Sequence, residues 1–408
     1  MSISDQLSSN EVPAEPVFSP ASCAERNGRM LHVLTLTPFY PLEDDDGAGC
    51  FVAEPFAALR SAGTRHSVIV ATPFYRAIRP ISRAAEPATS VKYFSFPKGL
   101  GLASAGLFLW RRIAPLVRGI HQQTPVDLMH AHGALPCGHA ALLLSAELGI
   151  PYVVTVHGLD AYSTRQVGGV FSRWCAGVSQ NVYQGARRIV CISQRVRDEV
   201  QTRGEFSTEV VYNGVDAELF SPGVAGDGGP VVLAIGNLIP TKGHDTLLRA
   251  VAAVGKEFPA LRCEIVGDGA EREKLSNLAR DLNISDKVTF LGRISRREVA
   301  EALRRCALFA LPSRYEALGC VYLEAMATGK AVLACRGQGI EEIIESGRNG
   351  FLVEPDNPAA LAEMLTRLLR NPVLRERMAA AGKSTVRQRL TLWHQAENLA
   401  RIYVECAQ

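Results

Sequence analysis

The chain has 408 residues, of which 47% are hydrophobic and 21% are charged, and its formal net charge is only +3. This length exceeds one ordinary hydrophobic core, so we expect two domains of roughly 200 residues each. No segment reaches the ~18 consecutive apolar residues of a membrane-spanning helix, and the polar, acidic start does not resemble a signal peptide. The ten cysteines include no Cys-x-x-Cys pair, which favours a cytoplasmic protein with free thiols over a disulfide framework.

Charge is distributed unevenly along the chain. Residues 1–60 contain 3 basic and 9 acidic side chains, whereas residues 61–197 contain 15 basic and 4 acidic ones. A basic region favours anionic partners, of which membrane lipid and a phosphorylated acceptor are the natural candidates. A solvated, arginine-rich surface without a partner is the alternative. Nucleic acid is not expected, because the basic residues are not interleaved with aromatic ones.

The first half of the chain predicts a parallel sheet. Residues 1–28, rich in Ser, Pro, Glu and Ala, predict a disordered leader. Short apolar runs then alternate with longer runs such as Cys137–Leu148 and Gly168–Gln184, which predict helices. This alternation is typical of a parallel sheet with helices on both faces. The strands predicted for this first domain, residues 29–220, are Met30–Leu36, His66–Ala71, Val126–His132, Pro151–Gly158 and Arg187–Ser193.

A second series of the same kind follows a Gly- and Pro-rich hinge at residues 221–230. It predicts a second domain over residues 231–390, with helices at His244–Lys256 and Glu271–Leu282. Its predicted strands are Val231–Gly236, Arg262–Gly267, Lys287–Gly292, Ala307–Pro312, Ala331–Cys335 and Gly350–Glu354. The expected fold is therefore α/β, with two Rossmann-like, doubly wound domains facing a central cleft in which ligands bind.

The stretch Ser313–Gly329 carries the most suggestive chemistry. It follows a short apolar strand and contains Glu316 in a loop, Gly319, and a predicted helix carrying Glu324. The unpaired N–H groups of a helix N-terminus attract anions, and flanking carboxylates accept hydrogen bonds from sugar hydroxyls. The spacing alone decides little, because two glutamates of the C-terminal segment, residues 397 and 405, repeat it.

Three other patterns favour different chemistry less strongly. No Gly-x-Gly run completes G-x-G-x-x-G, so a dinucleotide dehydrogenase is poorly supported. The triplet Asp44–Asp46 contains an Asp-x-Asp that could chelate a divalent ion, but a solvated acidic loop is the plainer expectation. His130, His132, His139 and His157 lack the carboxylate of a zinc hydrolase site. We instead expect His132 and His157 to line the cleft as neutral or switchable groups, with His130 as packing.

Taken in order, the motifs resemble the retaining glycosyltransferases of family 4, which have the GT-B fold of two Rossmann-like domains. The resemblance covers about residues 30–408. It is carried by HGLD (157–160), VYNGVDAELFSP (211–222), LAIGNLIPTKG (233–243), EIVGDGAER (264–272), VTFLGRI (288–294), PSRYEALGCVYLEAMATGKAVLA (312–334) and the glycine-rich segment 337–344.

The resemblance implies a role for each matching donor-site residue. Glu324 would accept hydrogen bonds from the donor's ribose, and Glu316 would orient the transferred sugar. Lys242 would bind the diphosphate. Gly49 would belong to the first-domain loop that closes on the donor. The backbone N–H groups beside Glu316 would complete the site, and they belong to Ala317, Leu318 and Gly319.

On the acceptor side, the resemblance places His157 at the end of its strand near the sugar, with Asp160 in the following loop. His132, which we expect to line the cleft, is assigned to the same side. His157, Glu316 and Lys242 would be the catalytic residues. The resemblance also implies that a C-terminal helix, residues 391–408, crosses back and completes the first domain.

One position departs from the family pattern. The family usually places an arginine five residues before the diphosphate-binding lysine, and this chain has Asn237 there. An amide can hydrogen-bond a phosphate oxygen but adds no charge. We therefore hypothesise that Arg293 or Arg314 supplies the missing cation.

The implied reaction transfers a hexose from a nucleotide diphosphate-sugar to a hydroxyl of a glycan or lipid-linked acceptor, with retention of configuration. No metal and no other cofactor would be needed. The basic first domain favours a place in cell-surface polysaccharide biosynthesis, in the cytoplasm and peripheral to the inner face of an anionic membrane. A sugar-nucleotide epimerase of the same fold and a catalytically silent nucleotide-sugar-binding protein are the alternatives.

Overall fold

The computed structural model describes residues 25–26, 29–43, 45–76, 88–96, 101–163, 169–223 and 229–408. The predicted leader, apart from Glu25–Arg26, therefore lies outside the described residues. So do Asp44 and the middle of the predicted hinge, residues 224–228.

The first domain is built on a sheet of seven parallel strands in the order β4-β3-β2-β5-β6-β7-β8, with a two-residue strand β1 antiparallel to β2 at one end. Its central strands Leu128–His132 and Tyr152–Val156 are buried on both faces, and the second of them is accordingly almost continuously apolar, whereas the first carries two buried histidines. The strands are β1 (Glu25–Arg26), β2 (Arg29–Thr37), β3 (Thr64–Pro73), β4 (Ala88–Tyr93), β5 (Leu128–His132), β6 (Tyr152–Val156), β7 (Arg188–Cys191) and β8 (Thr208–Val210).

Helices cover both faces of this sheet. The buried segment Ala134–Gly138, in which Leu135 has an extended backbone, leads into the helix that begins at His139. The helices are α1 (Cys50–Ala53), α2 (Phe56–Ser61), α3 (Leu102–Gln123), α4 (His139–Leu148), α5 (Gly169–Gly185) and α6 (Gln194–Gln201).

The second domain contains six parallel strands in the order β11-β10-β9-β12-β13-β14. They are β9 (Val231–Ile235), β10 (Arg262–Val266), β11 (Val288–Gly292), β12 (Leu308–Ala310), β13 (Ala331–Cys335) and β14 (Phe351–Val353). The helices are α7 (His244–Val254), α8 (Arg272–Asp281), α9 (Arg296–Arg305), α10 (Cys320–Ala327), α11 (Pro358–Arg370), α12 (Pro372–Arg389) and α13 (Leu392–Cys406), with 3₁₀ turns at Pro240–Lys242 and Gly339–Glu342. Two parallel-sheet domains confirm the predicted α/β fold class.

The last helix returns to the first domain. Helix α13 packs against α2 and β2, and Leu399, Ile402 and Tyr403 are buried in the core on that side of the sheet. Its approach is fixed by backbone pairing, since the Val215 N–H donates to Leu390 O (2.9 Å) and the Leu392 N–H donates to Val215 O (3.1 Å).

Some elements were not predicted. Neither β4 nor α3, the longest helix of the described chain at 22 residues, was predicted from the sequence. Strand β4 is short and polar, so it has no apolar run that marks it in the sequence. Helix α3 does have an apolar face, on which Leu109, Ile113 and Val117 are buried, but its internal Pro115 is unfavourable to a helix. The nine described cysteines are unpaired, and seven of them are buried. No helix of the described residues is both long and apolar enough to cross a membrane.

Candidate active site

The loop between β12 and α10 lies at the carboxyl end of the second sheet and ends at Gly319. This glycine is the N-terminal flanking residue of α10 and has φ +87°, and a Cβ there would meet the Tyr322 ring at 2.6 Å. Glycine is therefore needed for the chain to enter the helix at this angle. The eight-residue α10 begins directly after this loop, so its N-terminus lies at the carboxyl end of the sheet; binding of an anion there stays a prediction.

Glu316 and Lys242 form the centre of this site. The Lys242 Nζ lies 2.6 Å from Glu316 Oε2, and both side chains are largely buried, with exposures of 19% and 13%. The Ser313 hydroxyl donates to the same carboxylate oxygen at 3.3 Å. Two residues separated by more than seventy positions thus meet as a charge pair where the resemblance places the diphosphate and the transferred sugar.

Two glycines hold the loops that bring this pair together. Gly243 has φ +67°, and a Cβ there would lie 2.0 Å from Pro312 O, so only glycine lets the lysine loop approach the glutamate loop. The Arg314 N–H then donates to Thr241 O at 2.8 Å. On the other side, a Cβ on Gly339 would lie 1.8 Å from Ala317 O. The glycine-rich segment 337–344 therefore supports the loop by close backbone contact.

Glu324 is held by an arginine that no sequence motif indicated. Its side chain is almost fully buried, and its Oε1 accepts a hydrogen bond from Arg296 Nη1 at 2.6 Å. Arg296 also contacts Glu54 of the first domain through Nε (3.0 Å) and Nη2 (2.8 Å). No motif marked Arg296 or Glu54, because an arginine among several on an amphipathic helix carries no distinguishing pattern.

A histidine pair lies at the carboxyl ends of β5 and β6. The His132 Nδ1 and the His157 Nε2 are 3.0 Å apart, and the Phe51 ring packs against His157 with a centroid distance of 4.8 Å. Burial lowers the pKa of His157 to about 4 and lowers the pKa of His132 well below its usual value. Both imidazoles are therefore neutral near pH 7, which suits hydrogen bonding to sugar hydroxyls.

Two further histidines of the sequence cluster have structural partners. His130 is buried and bonds Tyr403 Oη through Nδ1 (2.7 Å) and Thr155 Oγ1 through Nε2 (2.6 Å). His139 begins α4 and packs on Gly106. Within the described residues, no group of three or more His, Cys, Asp or Glu side chains is arranged to hold a metal ion.

Asp160 braces the loop after β6. Its Oδ1 accepts from the His157 backbone N–H at 2.9 Å, and its Oδ2 is buried without a hydrogen-bond partner among the described residues. Burial raises the pKa of Asp160 to about 7, although nearby backbone N–H groups oppose this shift. The carboxyl group is thus poised between its two protonation states at neutral pH.

Gly49 fixes the approach of the first-domain loop. Its φ is +67°, and a Cβ there would lie 2.3 Å from the Tyr40 backbone N. The glycine therefore packs against the chain that leaves β2 and precedes α1. Contact of Gly49 with a donor remains a prediction.

The surroundings of Asn237 show whether Arg293 or Arg314 is available to supply the missing positive charge. Asn237 is exposed at the start of the lysine loop. Arg314 is bound to Asp245 (2.8 Å) and Asp356 (2.6 Å), and Arg293 is bound to Asp45 (2.7 Å). Both hypothesised substitutes thus have carboxylate partners of their own.

The acidic loop contacts the second domain. The Asp46 carboxylate accepts from the Arg296 backbone N–H (3.0 Å), and Asp45 pairs with Arg293. The expectation of a solvated loop is therefore wrong for these two residues. Their carboxylates face an arginine and the N-terminus of α9, which favours negative charge.

The two domains also meet at the glutamate loop. Ser193 Oγ donates to Ala317 O at 2.6 Å, and Gly158 approaches Ala317 so closely that a Cβ would lie 2.7 Å from the alanine Cβ. Glu342 accepts from the N–H groups of Gln194 (2.7 Å) and Arg195 (2.9 Å) at the start of α6. The cleft is therefore closed, with His157 and the loop carrying Glu316 on facing domains.

Comparison with solved structures identifies the class. The fold matches the Anabaena protein HepE, solved in complex with UDP and glucose, with a TM-score of 0.72 and 21% sequence identity over 92% of this chain and 99% of that one. The two domains therefore have the GT-B glycosyltransferase fold.

Sequence comparison identifies the family. Residues 216–385 match the model of glycosyl transferases group 1, and residues 46–219 match that of glycosyltransferase family 4. An uncharacterized glycosyltransferase from Methanocaldococcus jannaschii is 33% identical over 269 residues, which are 65% of this chain and 72% of that protein. A D-inositol 3-phosphate glycosyltransferase from Frankia alni is 31% identical over 286 residues, or 64% of this chain and 70% of the relative. This chain belongs to the family 4 glycosyltransferases.

Proposed function

We propose that the protein transfers a hexose from a nucleoside diphosphate-sugar to a hydroxyl of a glycan or lipid-linked acceptor, with retention of the α configuration. The observation that carries the proposal is the pairing of Lys242 with Glu316 beside the N-terminus of α10, opposite His157. A cation, a helix end and a carboxylate at one point match the diphosphate and hydroxyls of such a donor. HepE, which shares the fold, holds UDP and glucose.

In this mechanism, an oxocarbenium-like centre develops at the sugar as the diphosphate leaves. Lys242 and the first N–H groups of α10 stabilise the negative charge that accumulates on the diphosphate. Glu316 hydrogen-bonds the hydroxyls of the transferred hexose, and Glu324 accepts from the ribose. The neutral His157 bonds the sugar on the acceptor side, beside His132 and Asp160.

The acceptor attacks from the same face as the leaving group, and the departing phosphate takes the acceptor's proton. Closure of the cleft limits hydrolysis by water. The proposal includes independence from metal ions, because Lys242 and the helix end meet the diphosphate charge. Turnover is therefore expected to be unchanged by EDTA, and loss of activity that added Mg²⁺ restores would refute this part.

The family usually has an arginine where this chain has Asn237, so the proposed diphosphate site needs another source of positive charge. If Arg293 or Arg314 contributes its charge, alanine at both positions weakens donor binding and turnover. Unchanged donor affinity and turnover in the double variant would exclude both residues, whose carboxylate partners already neutralise much of their charge.

The reaction class is tested by product analysis with and without an acceptor. A panel of nucleotide-sugars is first screened for thermal stabilisation, since a bound ligand raises the stability of the folded state. With the donor so identified, nucleoside diphosphate should be released rapidly only when an acceptor is present. Turnover of the donor alone to an isomeric sugar would indicate an epimerase, and binding without turnover would indicate a silent binding protein.

Exposed aromatic rings on the first domain support binding of the protein to an anionic membrane surface. The aromatic patch comprises exposed or half-buried rings at the ends of β3 and β4 and on α3, namely Phe74, Tyr75, Phe94, Phe96 and Phe108. Four of these five rings are at least 43% exposed. Aromatic rings of this kind prefer the boundary between water and lipid.

Basic side chains accompany the aromatic patch. Arg76 follows β3 and Lys92 lies on β4, and both are exposed. Aromatic insertion combined with attraction to anionic headgroups supports peripheral binding at the inner face of a membrane, where a lipid-linked intermediate of cell-surface polysaccharide would be glycosylated. The Frankia alni relative is named for a phosphorylated substrate, which is likewise anionic.

Vesicle sedimentation tests the membrane part. The protein should bind vesicles of phosphatidylcholine that contain phosphatidylglycerol and bind pure phosphatidylcholine weakly. Serine at Phe74 and Phe96 should reduce this binding, while serine at Val373, which is 75% exposed on α12, should not. Equal binding by both variants would refute a role for the aromatic patch.

A further inference from the structure

Six charged groups bridge the two domains beside the donor site. The first domain contributes Asp45, Asp46 and Glu54, and the second contributes Arg293, Arg296 and Glu324. We call this set the interdomain clasp. Arg296 is its centre, because its guanidinium contacts carboxylates of both domains and its backbone N–H contacts a third.

The guanidinium of Arg296 donates hydrogen bonds to carboxylates of both domains. Its Nε and Nη2 both donate to Glu54 Oε1 at 3.0 and 2.8 Å, while its Nη1 donates to Glu324 Oε1 at 2.6 Å. Arginine presents its N–H groups in a rigid planar fork, so fixing one edge on Glu54 fixes the direction of the other. Glu324 is thus oriented through a residue that is itself oriented by the first domain.

Packing and burial reinforce this geometry. Arg296 is 13% exposed, and its guanidinium carbon lies 4.7 Å from the centroid of the buried Phe220 ring, which ends the first domain. Arg296 opens α9 behind a capping box formed by Ser295 and Glu298, which sets its backbone position. Interactions between charges in such a site are weakly screened by water.

The way in which Arg296 contacts Glu324 depends on whether the cleft between the two domains is closed. Arg296 is one cation between two carboxylates. If the domains separate, Glu54 is withdrawn, and the guanidinium is free to present one whole edge, with two N–H groups, to Glu324. A bidentate pair of that kind occupies both oxygens of the carboxylate. In the closed arrangement, only Oε1 of Glu324 bonds Arg296, and among the described side chains no other donor contacts this carboxylate.

We propose that Arg296 is a positioning residue that aims Glu324 at the donor's ribose only when Glu54 of the closed first domain holds the guanidinium. The proposal rests on the proposed ribose-binding role of Glu324. It gives the interdomain clasp a function, which is to couple recognition of the ribose hydroxyls to closure of the cleft.

The experiment measures how strongly the protein distinguishes ribose from deoxyribose. Affinities are measured calorimetrically for UDP, GDP and ADP and for their 2′-deoxy and 3′-deoxy forms. For the nucleotide that binds, the wild type should prefer one or both hydroxyls by roughly ten- to a hundredfold, as expected for hydrogen bonds to a charged carboxylate. Arg296→Met should lose most of this preference, and Glu54→Gln should reduce it.

The neighbouring Arg297 supplies a matched control. It lies on the same helix, is 85% exposed and pairs only with Glu301 among the described carboxylates. Arg297→Met should keep the full ribose preference. Arg296→Lys retains charge without the fork and should recover part of the affinity but little of the preference.

The possible results distinguish failure of this proposal from failure of the ribose-binding role of Glu324 on which it rests. If Arg296→Met weakens ribo- and deoxyribonucleotides by the same factor, the residue is merely structural and the proposal is overturned. If the wild type itself shows no preference, the ribose role of Glu324 fails, and this proposal fails with it. Should Arg296→Met not fold, Glu54→Gln decides the matter, because an unchanged preference in that variant overturns the coupling.

Discussion

Replacing Lys242 by alanine removes the cation that pairs with Glu316. The Nζ–Oε2 distance of 2.6 Å and the low exposure of both side chains show that this charge acts in a poorly hydrated site. Two unit charges about 4 Å apart interact by about 4 kcal/mol at an effective dielectric constant of about 20. Loss of a single donor to a developing anion costs about 3–4 kcal/mol in other enzymes. Both estimates predict that Lys242→Ala lowers kcat by about two to three orders of magnitude.

The assay is initial-rate release of nucleoside diphosphate with donor and acceptor at saturation. Lys256→Ala is the matched control, because this lysine is exposed just beyond the C-terminal end of α7. A melting temperature near that of the wild type establishes that Lys242→Ala is folded. Glu316→Ala should also lose well over tenfold in turnover. A Lys242→Ala rate within threefold of the control would refute the assignment of the diphosphate site.

Three further predictions follow from the loops of the site. Asn237→Arg should tighten donor binding and partly restore Lys242→Ala, because it adds a cation where the family usually has one; unchanged affinity by calorimetry would contradict this. Gly339→Ala should lower both the melting temperature and kcat, since its Cβ would lie 1.8 Å from Ala317 O. Burial raises the pKa of Asp160 to about 7 from 3.8, so the folded chain keeps a proton that the unfolded chain has lost, and stability falls as pH rises from about 4 to 7. Asp160→Asn should therefore gain in melting temperature relative to the wild type between pH 5 and pH 8, and a constant difference would count against the shift.

The parts of the fold that were predicted are those in which local pattern and tertiary role agree. Central strands such as β6 and β13 are buried on both faces, so their apolar runs stand out in the sequence. By contrast, β4 at the edge of its sheet is polar and was not predicted. An edge strand is partly solvated and needs no continuous apolar run.

The sequence by itself determined the fold class, the family resemblance and the loops of the candidate site. Glycines at 243, 319 and 339 and the residues beside them form local motifs, because close backbone approach restricts which residue types fit. Only the tertiary structure decided that Asp45, Asp46 and Glu54 face Arg293 and Arg296 across the cleft. Charge pairing between domains depends on position in space and leaves no periodic trace along the chain, so an acidic loop that looked solvated proved to be half of an interdomain contact.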